Sequence, residues 1–310
     1  MKTFVPGLVL LLMASFAPAE ERLVTLTWPT KHASAPVRLE EEQEQWMSLI
    51  RWGLAAAPES LVMQFTYFGS TTLGLPSEKA KRLQALLTER YRKIASDPLF
   101  EEADSALSYC FSRTRPETGR MTVYLPEGAG EKSPVILFLH GYGGSFLFYQ
   151  HYLVSLFPDH ILVFPAYGDS CSHIPREYLQ ECLAEVSSET GWKLPRPVLM
   201  GISAGGYGGF REYARNPRGY LGLVSIAAPP PSGIVSQVQK GSRVRLVAGG
   251  EEGFVTDGRF AKAVRQLEER GVEVRSRVLP GEDHFFLLSS EKTTSEVLSA
   301  WDAELRKPVR

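Results

Sequence analysis

The chain has 310 residues, 44% of them hydrophobic and 22% charged, and a net charge of −1. That composition supports a large buried core, and the near-neutral balance excludes a strong general attraction to nucleic acid or to an anionic membrane surface. Three cysteines, Cys110, Cys171 and Cys182, are too few for a disulfide scaffold, and no Cys/His cluster has the spacing of a zinc site.

Residues 1–19 have the pattern of a signal peptide. Lys2 is followed by an apolar stretch over 5–16 and by Ala17-Pro18-Ala19, a small-residue cleavage site. The expectation is export, secreted or periplasmic, with cleavage after Ala19. No run approaches the ~20 apolar residues that span a bilayer, so no stable membrane insertion is expected. After export, Cys171 and Cys182 either pair or remain thiols.

Residues 20–104 read as a mainly helical extension. Residues 22–28 alternate weakly, as a short strand does. Residues 40–57 read as a helix whose acidic start, Glu40, Glu41, Glu42 and Glu44, suits a helix N-terminus. Residues 61–68 are apolar and aromatic and fit more than one state. Residues 77–95 form a clearer helix. Pro76 and Ser77 mark its start, and Leu83, Leu86, Leu87, Tyr91 and Ile94 share one face. This extension either reaches over the site or buttresses the core.

The pattern changes over 105–310. Residues 107–112 and 121–125 read as two strands, expected to be antiparallel, around a turn at Pro116 and Gly119. Residues 135–139, 161–164, 198–200, 221–226, 244–248 and 272–278 read as buried strands. Helix-length segments at 146–156, 175–190, 207–216, 258–269 and 295–306 lie between and after them. This alternation predicts an α/β fold, a mostly parallel doubly wound sheet of about eight strands. Such sheets hold their sites at the carboxyl ends of the strands.

The strand at 198–200 runs into Gly201-Ile202-Ser203-Ala204-Gly205, a G-x-S-x-G pattern. A serine on a tight strand-to-helix turn is lifted clear of the backbone, and the small neighbours let strand and helix pack closely. The pattern alone also fits a plain glycine-rich turn. The strand at 135–139 ends in His140-Gly141-Tyr142-Gly143-Gly144. The N–H groups of Tyr142 and Ala204 converge there as an oxyanion hole. The loop lacks the spacing of a phosphate-binding loop, and His140 reads as a residue that holds it in shape. The strand at 244–248 leads to two candidate acids, Glu252 and Asp257. Asp257 also suits a cap on the helix at 258–269. The last strand leads to His284, the only one of six histidines beyond residue 173. Phe146, Phe148, Tyr149 and Tyr152 line a pocket or belong to the core; the sequence leaves both open.

The motifs H-G-Y-G-G, G-I-S-A-G-G, G-x-x-E-x-x-V and G-x-D-H-x-F come in this order. Together they resemble the α/β-hydrolases, and within them the secreted carboxylesterases of the esterase D, feruloyl esterase and acetylxylan esterase type. The resemblance spans about 107–305. It implies Ser203 as nucleophile, His284 as base and acid, and an acid after the seventh strand at the position of Glu252, where the family usually has Asp. It implies a small-molecule or carbohydrate-linked ester as substrate and a reaction needing neither metal nor organic cofactor. A serine peptidase of the prolyl-oligopeptidase type shares these signatures; a non-catalytic binding protein on a hydrolase fold is the rival from another class, and it requires a broken triad or oxyanion loop, of which none is visible. The segment 227–243 is too short for a helical lid.

Overall fold

A computed structural model describes residues 20–33, 58–61, 77–110, 117–168 and 170–308. The signal segment, the helix expected at 40–57 and most of 61–68 lie outside them.

One eight-stranded sheet organises the chain, in the order β1-β2-β4-β3-β5-β6-β7-β8. β1 (Arg22–Pro29) and β2 (Thr118–Leu125) pair antiparallel at one edge. β2 also runs antiparallel to β4 (Ile161–Ala166). β3 (Val135–Leu139), β5 (Val198–Ile202), β6 (Leu223–Ile226), β7 (Arg243–Gly249) and β8 (Glu273–Leu279) complete a parallel run with β4. β3, β4 and β5 are buried at every position, which is why they read as unbroken apolar runs rather than alternating ones.

Strand alternation divides two cores. Ile136, Phe138, Leu162, Phe164 and Met200 face one side, where they meet Leu83 and Leu87 of α1 (Ser77–Ser96), Phe148 of α3 (Leu147–Leu156), Phe286 of α8 (Phe286–Ser289) and Leu298 of α9 (Glu291–Leu305). Val135, Leu137, Leu139, Val163 and Leu199 face the other. They meet Tyr178 of α4 (Arg176–Thr190), Phe210 of α5 (Ala204–Arg215) and Leu267 of α7 (Arg259–Glu269). The helix of the extension is therefore a layer of the core. Phe146, Phe148 and Tyr152 are buried in the first core rather than lining an open pocket.

One expected element differs. Residues 107–110 are not a strand but a short helix, α2 (Leu107–Cys110). Leu107 and Cys110 are buried while Ser108 is exposed, a spacing of three that suits a helical turn and not a pleat. The antiparallel slot beside β2 is taken instead by β1, from far upstream. Trp28 of β1 packs on Gly119, where a Cβ would overlap its ring, and its indole N–H donates to Glu181 at 3.1 Å. Cys110, Cys171 and Cys182 are all buried, and no Cys171–Cys182 bridge is present. Among the described residues no helix is long and apolar enough to cross a membrane.

Candidate active site

β3 and β5 are parallel neighbours, with Leu139 beside Gly201. The loop after β3 and the turn after β5 therefore open at the same edge. Ser203 stands at that turn with φ 52° and ψ −118°, a conformation that L-residues adopt at a cost of roughly 1–3 kcal/mol. The surroundings force it. A Cβ on Gly201 would overlap the Gly205 carbonyl, and one on Gly205 would overlap the Leu139 carbonyl. Ser203 N–H donates to Ile226 O at 2.8 Å, which ties the turn to the end of β6.

His284 comes from the loop after β8. Its Nε2 lies 3.0 Å from Ser203 Oγ, and its Nδ1 lies 2.8 Å from Glu252 Oε2. A carboxylate only accepts, so Nδ1 carries the proton and Nε2 is left to accept from the serine hydroxyl. Glu252 follows β7 and starts α6 (Gly253–Thr256). Its other oxygen, Oε1, accepts the Gly249 N–H at 3.0 Å. Its side chain is 4% exposed, against 43% for His284. The acid is thus fixed and buried, while the imidazole meets solvent. Gly249 permits the convergence, since a Cβ there would overlap the carbonyls of Glu282 and Asp283 on the histidine loop.

Asp257 goes elsewhere. Its Oδ1 accepts the Arg259 N–H at 3.0 Å and its Oδ2 accepts Arg259 Nε at 2.7 Å, in the exposed turn before α7. Backbone and side-chain bonds from Arg259 hold its carboxyl below the usual range.

Gly141 packs directly on the Ser203 turn, and Tyr142 beyond it is 70% exposed. Ala204 is the first residue of α5, so its N–H has no acceptor within the helix. His140 is wholly buried. Its Nδ1–H donates to Gly141 O at 2.8 Å, and its Nε2 accepts the Tyr167 N–H at 3.2 Å. Burial pushes its pKa down to about 4, so it stays neutral and braces the loop.

Glu59 was not legible as a contributor. It is buried and accepts hydrogen bonds from Tyr91 and Ser105, both at 2.7 Å, and from Phe148 N–H at 3.4 Å. It thereby caps α3, whose N-cap Phe146 has no capping side chain, just beyond the glycine-rich loop. Nothing in residues 58–61 taken alone signals such a long-range cap.

Between β6 and β7 the described chain forms a single 3-10 turn, Val235–Gln237, and no helix. A cavity of about 670 Å³ lies between that segment and α7, with Tyr207, Pro229, Pro231, Arg259 and Lys262 among its walls. Among the described residues no group of three His, Cys, Asp or Glu side chains is placed to hold a metal ion.

No family model matches the chain, and no curated protein sequence is similar to it. Solved structures are. The chain is similar to an acylaminoacyl peptidase of Pyrococcus horikoshii, with TM-score 0.51 and 13% identity over 62% of this chain and 40% of that one. Esterase PE8 gives TM-score 0.47 at 20% identity, over 60% of this chain and 98% of that one. A predicted CIB-like hydrolase from Thermoplasma acidophilum gives 0.47 at 15%, over 59% and 92%. The chain spans less than half of the peptidase, and identities this low bear on architecture alone. Strand order, the strained serine turn after β5 and the likeness to the peptidase agree: the chain has the α/β-hydrolase fold.

Proposed function

We propose that the protein is a serine hydrolase that cleaves carboxylic esters through an acyl-enzyme intermediate. The observation that carries this is the relay of 3.0 Å from Ser203 Oγ to His284 Nε2 and 2.8 Å from His284 Nδ1 to Glu252 Oε2. A serine hydroxyl is a poor nucleophile until an adjacent base removes its proton. In this reading His284 takes that proton as Oγ attacks the ester carbonyl. Glu252 holds the imidazole tautomer and stabilises the cation. The N–H groups of Tyr142 and Ala204 receive the oxyanion. The imidazolium then protonates the departing alcohol. Water, deprotonated by the same imidazole, cleaves the acyl-enzyme and regenerates Ser203. No step calls for a metal or an organic cofactor.

The substrate class that suits the site is a small or carbohydrate-linked ester. No helical lid stands in the β6–β7 connection, and the imidazole and Tyr142 face solvent. The test is a panel of p-nitrophenyl acetate, feruloylated and acetylated sugars, and an acylaminoacyl p-nitroanilide. Ester turnover that falls by ~10⁴–10⁶ in Ser203→Ala is expected. Undiminished turnover in that variant overturns the reading, and preference for the anilide moves it to amide hydrolysis.

The reading includes export, on the strength of residues 1–19. Protein recovered from periplasm or medium is expected to begin at Glu20. A chain that begins at Met1 contradicts this.

A further inference from the structure

Lys79 stands in the first turn of α1, where the helix dipole disfavours a cation. Its ammonium reaches out of the helix to two loops. It donates to Glu251 Oε2 at 2.8 Å and pairs with Asp283 Oδ2 at 3.1 Å. Glu251 adjoins Glu252, and Asp283 adjoins His284. One cation thus bridges the loop that carries the acid and the loop that carries the histidine. The side chain of Lys79 is 23% exposed and that of Asp283 12%. Asp283 Oδ1 accepts the Phe285 N–H at 2.8 Å, while its buried Oδ2 faces the Lys79 ammonium at 3.1 Å. Burial opposes the charge on Lys79, but the two carboxylates outweigh it and hold the ammonium above the ordinary lysine range.

Among the described residues, the charges around His284 come from four elements. Glu252 and Glu251 lie on the loop after β7, and Glu282 and Asp283 on its own loop. Lys79 comes from α1, and Tyr207 of α5 stands near enough to feel the charge of Glu252. Glu282 is occupied by the hydroxyls of Ser289 and Ser290. Lys79 is the cation among these groups.

We propose that Lys79 is a positioning residue: it clamps the acid loop to the histidine loop and cancels the charge of Glu251 and Asp283 beside His284. The proposal rests on the serine-hydrolase reading, in which His284 is the base. Without Lys79, two uncompensated carboxylates favour the imidazolium. The free base then appears only at higher pH, and the acidic limb of reactivity moves up.

The test uses the full chain and two readouts. One is the pH dependence of fluorophosphonate labelling. The other is the imidazole NMR titration of His284, assigned with His284→Asn. In Lys79→Met both midpoints are expected to rise by ~0.5–1 pH unit, which slows labelling below the limb by about three- to tenfold. Lys79→Arg should leave both in place. Lys79→Met/Asp283→Asn should return both towards wild type, because one of the exposed charges is gone. A purely structural Lys79 would lower Tm without moving either midpoint and without rescue by Asp283→Asn, and that overturns the clamp. Where Lys79→Met does not fold, Asp283→Asn in the wild-type background serves, with both midpoints expected to fall; unmoved midpoints overturn the clamp. A wild type that takes no label overturns the hydrolase reading, and with it the catalytic role of the clamp, whatever the NMR midpoint does.

Discussion

β7 carries a buried ionic cluster at each end, and the two are built differently. At its amino end, Arg245 is wholly buried and pairs with Glu273 and with Glu304 at 3.1 Å, while Arg243 donates to the Leu305 and Glu304 carbonyls at 2.7 and 2.8 Å. The buried members are arginines, which do not titrate in the working range of a protein, and the acids reach water. This cluster fastens α9 to the sheet. At its carboxyl end the arrangement is inverted. The acid, Glu252, is buried, and its partner is a histidine open to solvent and in contact with a strained serine. A permanent charge held inside gives an anchor; a buried acid facing a titratable, exposed base gives a site that can move a proton.

The sharpest way to break this contrast is to neutralise each acid without changing its shape. Glu252→Gln should lower kcat by about 10⁴ with little loss of Tm. An unchanged kcat would make the carboxyl-end cluster another anchor. At the amino end, Glu273→Gln with Glu304→Gln leaves Arg245 buried without its counter-charges. The expected result is a loss of about 1–3 kcal/mol in urea unfolding, below the 3–5 kcal/mol of a fully buried pair because both acids reach solvent. The labelling rate per folded molecule should not move. Arg245→Met should cost less, because the acids it abandons can be hydrated.

Glu59 is another buried carboxylate and sharpens the comparison, since among the described residues no cation pairs with it. Burial raises its pKa to about 7. The folded protein therefore holds a proton there that the unfolded chain, with an ordinary carboxyl, releases near pH 4.5. Its stability is full below that pH and declines as pH rises to about 7. Against Glu59→Gln, wild type should lose ~2–3 kcal/mol between pH 5 and pH 8, read as Tm at both ends. Parallel curves would mean that Glu59 does not take up this proton. The smallest effect is expected of Asp257→Asn. Its carboxylate serves Arg259 in an exposed turn, so kcat should stay within about twofold of wild type, given that surface changes rarely reach a distant reaction. A large fall would transfer the role proposed for Glu252.

Where the sequence could be read, its signals were local. β3 was legible to the residue because both faces are buried and the run is unbroken. The serine turn was legible because Gly201 and Gly205 must be small for backbone to meet backbone. The distinction between Glu252 and Asp257 was only half legible, as both follow β7 and only the approach of the β8 loop decides which one meets His284. What could not be read was long-range. Residues 107–112 looked like a strand because apolar residues are dense there, yet β1, with its weak alternation, holds the place beside β2. Nothing in the sequence singles out Glu59 or Lys79. Their partners, Tyr91, Ser105, Phe148, Glu251 and Asp283, lie on other elements, and no periodicity carries that information.

The central claim is that Ser203 is a nucleophile activated by His284. Its most direct test is to treat the full chain with a fluorophosphonate at pH 8, digest it, and locate the adduct by tandem mass spectrometry. The account predicts one adduct, on Ser203, absent from Ser203→Ala and slowed by orders of magnitude in His284→Ala. An unlabelled wild type, or an adduct on a different serine, would contradict it.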